Sequence, residues 1–349
     1  MITQRTTLLA IVFSCLYSLT LSSPAQAKKI RIDMASAYPS RLAHLGFLAK
    51  GVAKKITDAT DGEVRVRFHE PGALVPPLQL FDAVAKGSID AAWSAAGFWT
   101  GKDPAFALFS AVPFGPGASE YLAWFYYGGG KELADELYRS YGIIYMPCGM
   151  NAPEASGWFR KEVKSVADLK GLKMRFFGLG AKVMERLGVA TQSIAGGEIY
   201  QALQLGTIDA TEFGMPEMDL SFGFYQVAKH YYFPGWHQPA TFQDLMISTR
   251  KWQTLSPAQQ TVIQLACGDN VREGLARAEA VQFAALQKIQ SKGVTLQRWS
   301  NETLDRFRTE WEIVANEQTK KSPHFAKTWK SLTEFRANYK IWRDLGFTE

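Results

Sequence analysis

An internal echo constrains the fold more than any other feature. Residues 83–91 read AVAKGSIDA and residues 202–210 read ALQLGTIDA, with five of nine positions identical at an offset of 119. Val84/Leu203 and Ser88/Thr207 are conservative pairs, and upstream at the same offset Leu80 meets Ile199 and Phe81 meets Tyr200. Each copy reads as a helix closed by a glycine and followed by a short strand. Gly87 and Gly206 can supply the left-handed C-cap conformation that a Cβ disfavours. Two such copies predict two lobes of related design, each sending the end of a strand towards a shared cleft. In open α/β sheets, ligands bind beyond the carboxyl ends of the strands.

The rest of the chain suits the same class. Ile30-Arg31-Ile32-Asp33-Met34 and Val64-Arg65-Val66-Arg67-Phe68 alternate apolar and polar residues as strands do, the second after an Asp61-Gly62 turn. Between them Leu42, Leu45, Leu48, Val52 and Ile56 recur at helical spacing. Past about residue 250 the pattern becomes helical. Ser256-Pro257 forms an N-cap and first-turn pair, and an amphipathic stretch follows to Ser291 with a weak point at Gly268. A second helical segment runs from Ser300 to Trp342, broken near Ser322-Pro323. The expected organisation is α/β: residues 28–150 mainly one lobe, 151–250 mainly the other, and 251–349 a helical region bracing both.

Residues 1–27 have the form of an export signal: Arg5, an apolar stretch Leu8–Leu21, and Ala25-Gln26-Ala27 as the cleavage site. The apolar stretch is shorter than the roughly 20 residues of a spanning helix and is interrupted by Ser14, Ser18 and Thr20. Cleavage leaves 349 − 27 = 322 residues, and loss of Arg5 takes the net charge from +6 to +5. No basic run concentrates that charge, which argues against nucleic acid and leaves room for anionic ligands. Cys15 departs with the signal. Cys148 and Cys267 belong to no CxxC motif and are expected as separate buried thiols in preference to a bridge.

Catalytic signatures are missing: there is no HExxH, GxSxG or P-loop. The histidines His44, His69, His230, His237 and His324 are scattered, and each is expected on the surface or in packing and not as a ligand. Binding is therefore favoured over turnover. The alternative of another class is an exported metal-dependent hydrolase with Glu154 as base.

Several ordered segments then narrow the reading: PGALVPPLQLFDAVAKGSIDAA (71–92), WTGKDPAFAL (99–108), GWFRKEV (157–163), DLKGLKMRFFG (168–178) and GTIDATEF (206–213). Over nearly the whole mature length the chain resembles the solute-binding proteins of tripartite ATP-independent periplasmic (TRAP) transporters, the DctP family. AKVMERLGV (181–189) and YYFPGW (231–236) make it similar to the branch that binds 2-oxo and 2-hydroxy monocarboxylates with a metal ion. The resemblance implies a two-lobed periplasmic-binding-protein fold with a hinge, residence in the periplasm, and delivery of a small organic anion to small and large membrane subunits. It implies no enzymatic activity.

The resemblance also implies site residues. Arg175 matches the arginine that pairs with the substrate carboxylate, a planar group with parallel donors, and is expected to face Glu212 across the cleft. Glu212 matches a metal-ligand carboxylate. Phe213 stands where a tryptophan usually offers its backbone carbonyl. Glu154 takes the place of a glutamine and Gln238 that of a glutamate, an exchange that keeps the number of carboxylates and suits oxygen ligation of Na⁺ or Ca²⁺. Met150 is read in the position of an asparagine. Tyr38 and Trp99 complete the expected substrate contacts, with Trp93, Phe98, Trp158 and Trp236 as further wall candidates. A rival reading has Glu154 and Glu212 gripping the ammonium of a zwitterionic amino or sulfonic acid with no metal. The short C-terminus favours a monomer over a dimer.

Overall fold

The structure, a computed structural model, describes residues 29–346. The expected export signal and its cleavage point lie outside the described residues. The alternating segments at the start form β1 (Ile30–Ser36) and β2 (Val64–His69), which pair in parallel around the helix Leu45–Ala59. That helix buries Leu45, Leu48, Val52 and Ile56 on one side, the periodicity seen in the sequence.

Both copies of the repeat fold as expected. The helix Leu80–Lys86 ends at Gly87 with φ 65° and leads into β3 (Ala91–Ser94). The helix Ile199–Leu205 ends at Gly206 with φ 72° and leads into β8 (Ala210–Thr211). In each, the left-handed glycine turns the chain straight from helix into strand.

The remaining strands are β4 (Ile143–Asn151), β5 (Gly157–Phe159), β6 (Lys173–Arg175), β7 (Ala190–Gln192), β9 (His230–Phe233), β10 (Thr241–Ser248) and β11 (Thr295–Arg298). They form two sheets, one in the order β2-β1-β3-β10-β4 and one in the order β11-β9-β5-β8-β6-β7. Each sheet is the centre of a lobe, and among the described residues the chain passes from one sheet to the other three times. Residues 152–156 carry it from β4 to β5, and residues 234–240 carry it back from β9 to β10. The third crossing is the helix Pro257–Ser291, unbroken at Gly268 and opened by a Ser256–Gln259 capping box. Asn270 of this helix donates to the carbonyls of Cys148 and Leu48 in the first lobe, and Arg277 pairs with Glu217 in the second. It then leads into β11 at the edge of the second sheet.

The helices Asn301–Lys321 and Pro323–Gly346 follow. Glu310 on the former pairs with Arg186 of the second lobe, and Arg336 on the latter pairs with Glu120 of the first. Among the described residues no helix is long and apolar enough to cross a membrane.

One expectation fails here. Cys148 and Cys267 form a disulfide, with their Cα atoms 4.1 Å apart. Sequence distance gave no hint of it, because the contact arises from the long crossing helix packing on β4. The bridge fastens that helix to the strand that enters the first crossing.

Candidate functional site

The strand ends converge on a small cleft between the lobes, enclosing about 20 Å³, room for one or two water molecules. Its floor comes from the crossings. Glu154 lies in the first, Gln238 in the second, and their backbones are joined where the Glu154 amide donates to the Gln238 carbonyl at 3.2 Å. The first lobe contributes Tyr38, Ala95, Phe98, Asn151 and Thr241, and the second Arg175, Phe177 and Phe213.

The two carboxylates are held differently. Oε1 of Glu154 accepts three bonds, from Asn151 Nδ2 at 2.8 Å, Gln238 Nε2 at 3.0 Å and Thr241 Oγ1 at 3.0 Å. Its Oε2 is buried with no partner among the described residues. Burial pushes the Glu154 carboxyl well above the usual carboxylate range; the bonds from Asn151 and Thr241 oppose this, and the nearby charge of Glu212 adds to it. Glu212 behaves in the opposite sense. Burial alone would raise its carboxyl, but the Arg175 charge, with His237 and the Phe177 amide, outweighs that and holds it below its ordinary value.

Arg175 leaves β6 with Nη1 bonded to the Glu212 carbonyl at 2.8 Å and to Glu212 Oε1 at 2.6 Å, while Nε donates to the Ile194 carbonyl at 3.2 Å. Nη2 is left without a protein partner among the described residues. The Arg175 guanidinium sits between the rings of Phe177 and Phe213, its carbon 6.0 and 5.5 Å from their centroids. The expectation that Arg175 faces Glu212 across the cleft is corrected: β6 and β8 are adjacent parallel strands, with Arg175 opposite Thr211, so both residues belong to the second lobe.

Tyr38, Glu154, Arg175, Phe213 and Gln238 all reach the cleft, and Glu212 stands directly behind Arg175. Met150 and Trp99 do not line it. Met150 is fully buried on β4, and it is Asn151, one residue on and therefore on the opposite face, that enters the cleft. Trp99 packs against Phe81 and Phe98. Of the other wall candidates Phe98 lines the cleft. Trp158 stacks on Tyr231, Trp236 on Phe114, and Trp93 is fully buried.

His237 is the residue that sequence reasoning missed. It lies in the second crossing, 1% exposed, with Nε2 3.5 Å from Glu212 Oε2, and neither ring nitrogen has another partner. Ligand atoms of Glu154, Glu212 and His237 all lie within 4.8 Å of one another. The only available signal was its position beside Gln238. Unpartnered buried oxygens also remain on Asn151 and Gln238. Buried polar atoms left unsatisfied are costly, and a set dominated by oxygens with two carboxylates fits a hard cation such as Na⁺ or Ca²⁺.

Comparisons with known proteins agree with this architecture. A model of the DctP family, bacterial extracellular solute-binding protein family 7, matches residues 36–322. The monocarboxylate 2-oxoacid-binding periplasmic protein of Nostoc sp. PCC 7120 is 34% identical over 330 residues, covering 94% of this chain and 90% of that one. A TRAP solute-binding protein from Bordetella bronchiseptica RB50 has a TM-score of 0.89 at 33% identity, covering 91% of this chain and 95% of its own; its crystals held a mixed-occupancy dimer with copurified calcium and picolinate. One from Pseudoalteromonas atlantica T6c, with bound sodium and pyruvate, has a TM-score of 0.87 at 32% identity, covering 90% of this chain and 96% of its own. These are receptors and not enzymes. The chain belongs to the DctP family of bacterial extracellular solute-binding proteins.

Proposed function

We propose that this receptor works in the periplasm, captures a small 2-oxo or 2-hydroxy monocarboxylate together with Na⁺ or Ca²⁺, and delivers the acid to the small and large membrane subunits. The observation that carries the reading is the pairing of opposite needs in one cleft: a guanidinium edge without a protein partner beside buried carboxylate oxygens without one. Arg175 Nη2 takes the acid's carboxylate. Glu154, Glu212, Gln238 and the Phe213 carbonyl hold the cation, with Tyr38 beside the acid. A bound cation supplies the positive charge that keeps Glu154 ionised despite its burial. The pyruvate of the Pseudoalteromonas neighbour and the ligand class of the Nostoc relative support this choice of acid.

Thermal unfolding tests it. After chelation and dialysis against sodium-free buffer, pyruvate alone is expected to give no stabilisation. Pyruvate with Ca²⁺ or Na⁺ restores it, about 2.7 kcal/mol at a hundredfold excess over Kd. Undiminished stabilisation without the cation overturns the metal, and stabilisation by amino acids in place of 2-oxo acids overturns the acid. Light scattering during gel filtration separates a monomer from a dimer like that of the Bordetella neighbour.

A further inference from the structure

We infer that the side chain of Phe177 is a size gate, which sets how large a substituent the bound acid can carry; the inference rests on the ligand reading above. Phe177 follows Arg175 by two residues, and its ring spans the cleft to meet Phe98 of the first lobe edge to face, centroids 4.7 Å apart at 76°. The ring rests on bare backbone. A Cβ added at Gly97 would stand 2.3 Å from Phe177 Cζ and 2.5 Å from its Cε1, so a side chain there would collide with it.

The position divides into two separable parts. The Phe177 amide donates to Glu212 Oε1 at 2.6 Å, an anchor that any residue except proline preserves. The ring makes the cross-lobe contact and flanks the Arg175 guanidinium. Asn151, Glu154, Gln238 and Thr241 line the cleft at or beside the crossings, and the rings of Phe98 and Phe177 line it where the two lobes meet. An acid whose carboxylate meets Arg175, which the Phe177 ring flanks, and whose 2-oxygen faces the polar groups lies against these two rings. With the rings in contact the cleft offers only about 20 Å³, so a bound acid must part Phe98 from Phe177, and the more so the larger its substituent.

The test is calorimetric titration of wild type, Phe177→Ala and Phe177→Leu with a graded series: pyruvate, 2-oxobutyrate, 4-methyl-2-oxopentanoate and phenylpyruvate, each with calcium. Wild type is expected to prefer pyruvate. Phe177→Ala should shift the ratio of pyruvate to 4-methyl-2-oxopentanoate affinity by at least about tenfold towards the larger acid, with Phe177→Leu intermediate. Loss of affinity by the same factor for every acid would overturn the gate and reduce Phe177 to packing. Gly97→Ala, which adds a methyl group where the ring rests, is expected to weaken every acid; wild-type affinity in that variant would show that the ring has no fixed seat. The panel also includes succinate and alanine, each with a bulkier homologue. If wild type takes one of these classes in place of 2-oxo acids, the ligand reading falls, and the gate is still read from the size shift within that class.

Discussion

Nη1 of Arg175 lies 2.6 Å from Oε1 of Glu212, and the two side chains are 2% and 0% exposed. Arg175 ends one strand and Glu212 directly follows its neighbour in the same lobe, so the pair does not depend on contact between the lobes and keeps a positive edge where an acid arrives. Such a pair gains by attraction roughly what its charges lose in hydration, but removing one partner strands the other.

Arg175→Ala is therefore expected to do two things. It abolishes acid binding, and it destabilises the apo protein by about 3–5 kcal/mol in urea denaturation, because Glu212 is left buried and unpaired. The double variant Arg175→Met/Glu212→Gln recovers much of the stability and none of the binding. Recovery of acid binding in the double variant would remove the guanidinium from the ligand's partners.

Glu154→Gln separates the cation from the fold. The three donors around Oε1 can still find an amide oxygen, while the second, unpartnered oxygen is lost. Calcium affinity is expected to fall by at least about tenfold, the scale seen when even a supporting group of a metal site is removed. Melting curves with and without calcium check this. A variant with the wild-type calcium response would exclude Glu154 from the cation site.

Asp244, fully buried on β10, gives a pH dependence. Burial raises its carboxyl to about 7 against an ordinary 3.8, although the Tyr138 hydroxyl donates to Oδ2 at 3.3 Å and works the other way. Between those two values the folded chain holds a proton that the unfolded chain has released. Stability therefore falls as pH rises from about 4 to 7 and levels off above. Asp219, also raised to about 7 by burial, contributes with the same sign. Asp244→Asn is expected to unfold at higher urea than wild type near pH 8 and to show a shallower decline from pH 5. An unchanged slope would mean that Asp244 is ionised in the folded protein.

Breaking the Cys148–Cys267 bridge frees a long loop, and Cys148→Ser/Cys267→Ser is expected to lose about 2–5 kcal/mol in urea unfolding without reductant. Acid affinity should change little, since neither residue lines the cleft. A large loss of affinity at unchanged stability would instead make the bridge part of the binding apparatus.

What could be read from the sequence was local. The repeat gave both helix–glycine–strand units, because hydrophobic spacing and a left-handed cap act within a dozen residues, and Ser256-Pro257 marked the start of the long crossing helix for the same reason. Arg175, Glu154, Glu212, Phe213 and Gln238 stood out through the family resemblance. What escaped depends on registers and distant contacts. Met150 and Asn151 differ by one step on a strand, and one step changes the face. His237 and the disulfide owe their places to packing between segments far apart in sequence. The Arg175–Glu212 pair could be named but not assigned to one lobe, since strand order is set by the whole sheet.

The position of β10 bears on how an exported chain can mature. It lies between β3 and β4, yet it is synthesised only after the entire second sheet except β11. A polypeptide emerging from its N-terminus leaves β3 and β4 with open edges until Ser248 has followed. Neither sheet can be completed early, so long-range strand pairing must wait for most of the chain, which makes the assembly of both sheets a late and slow step of folding.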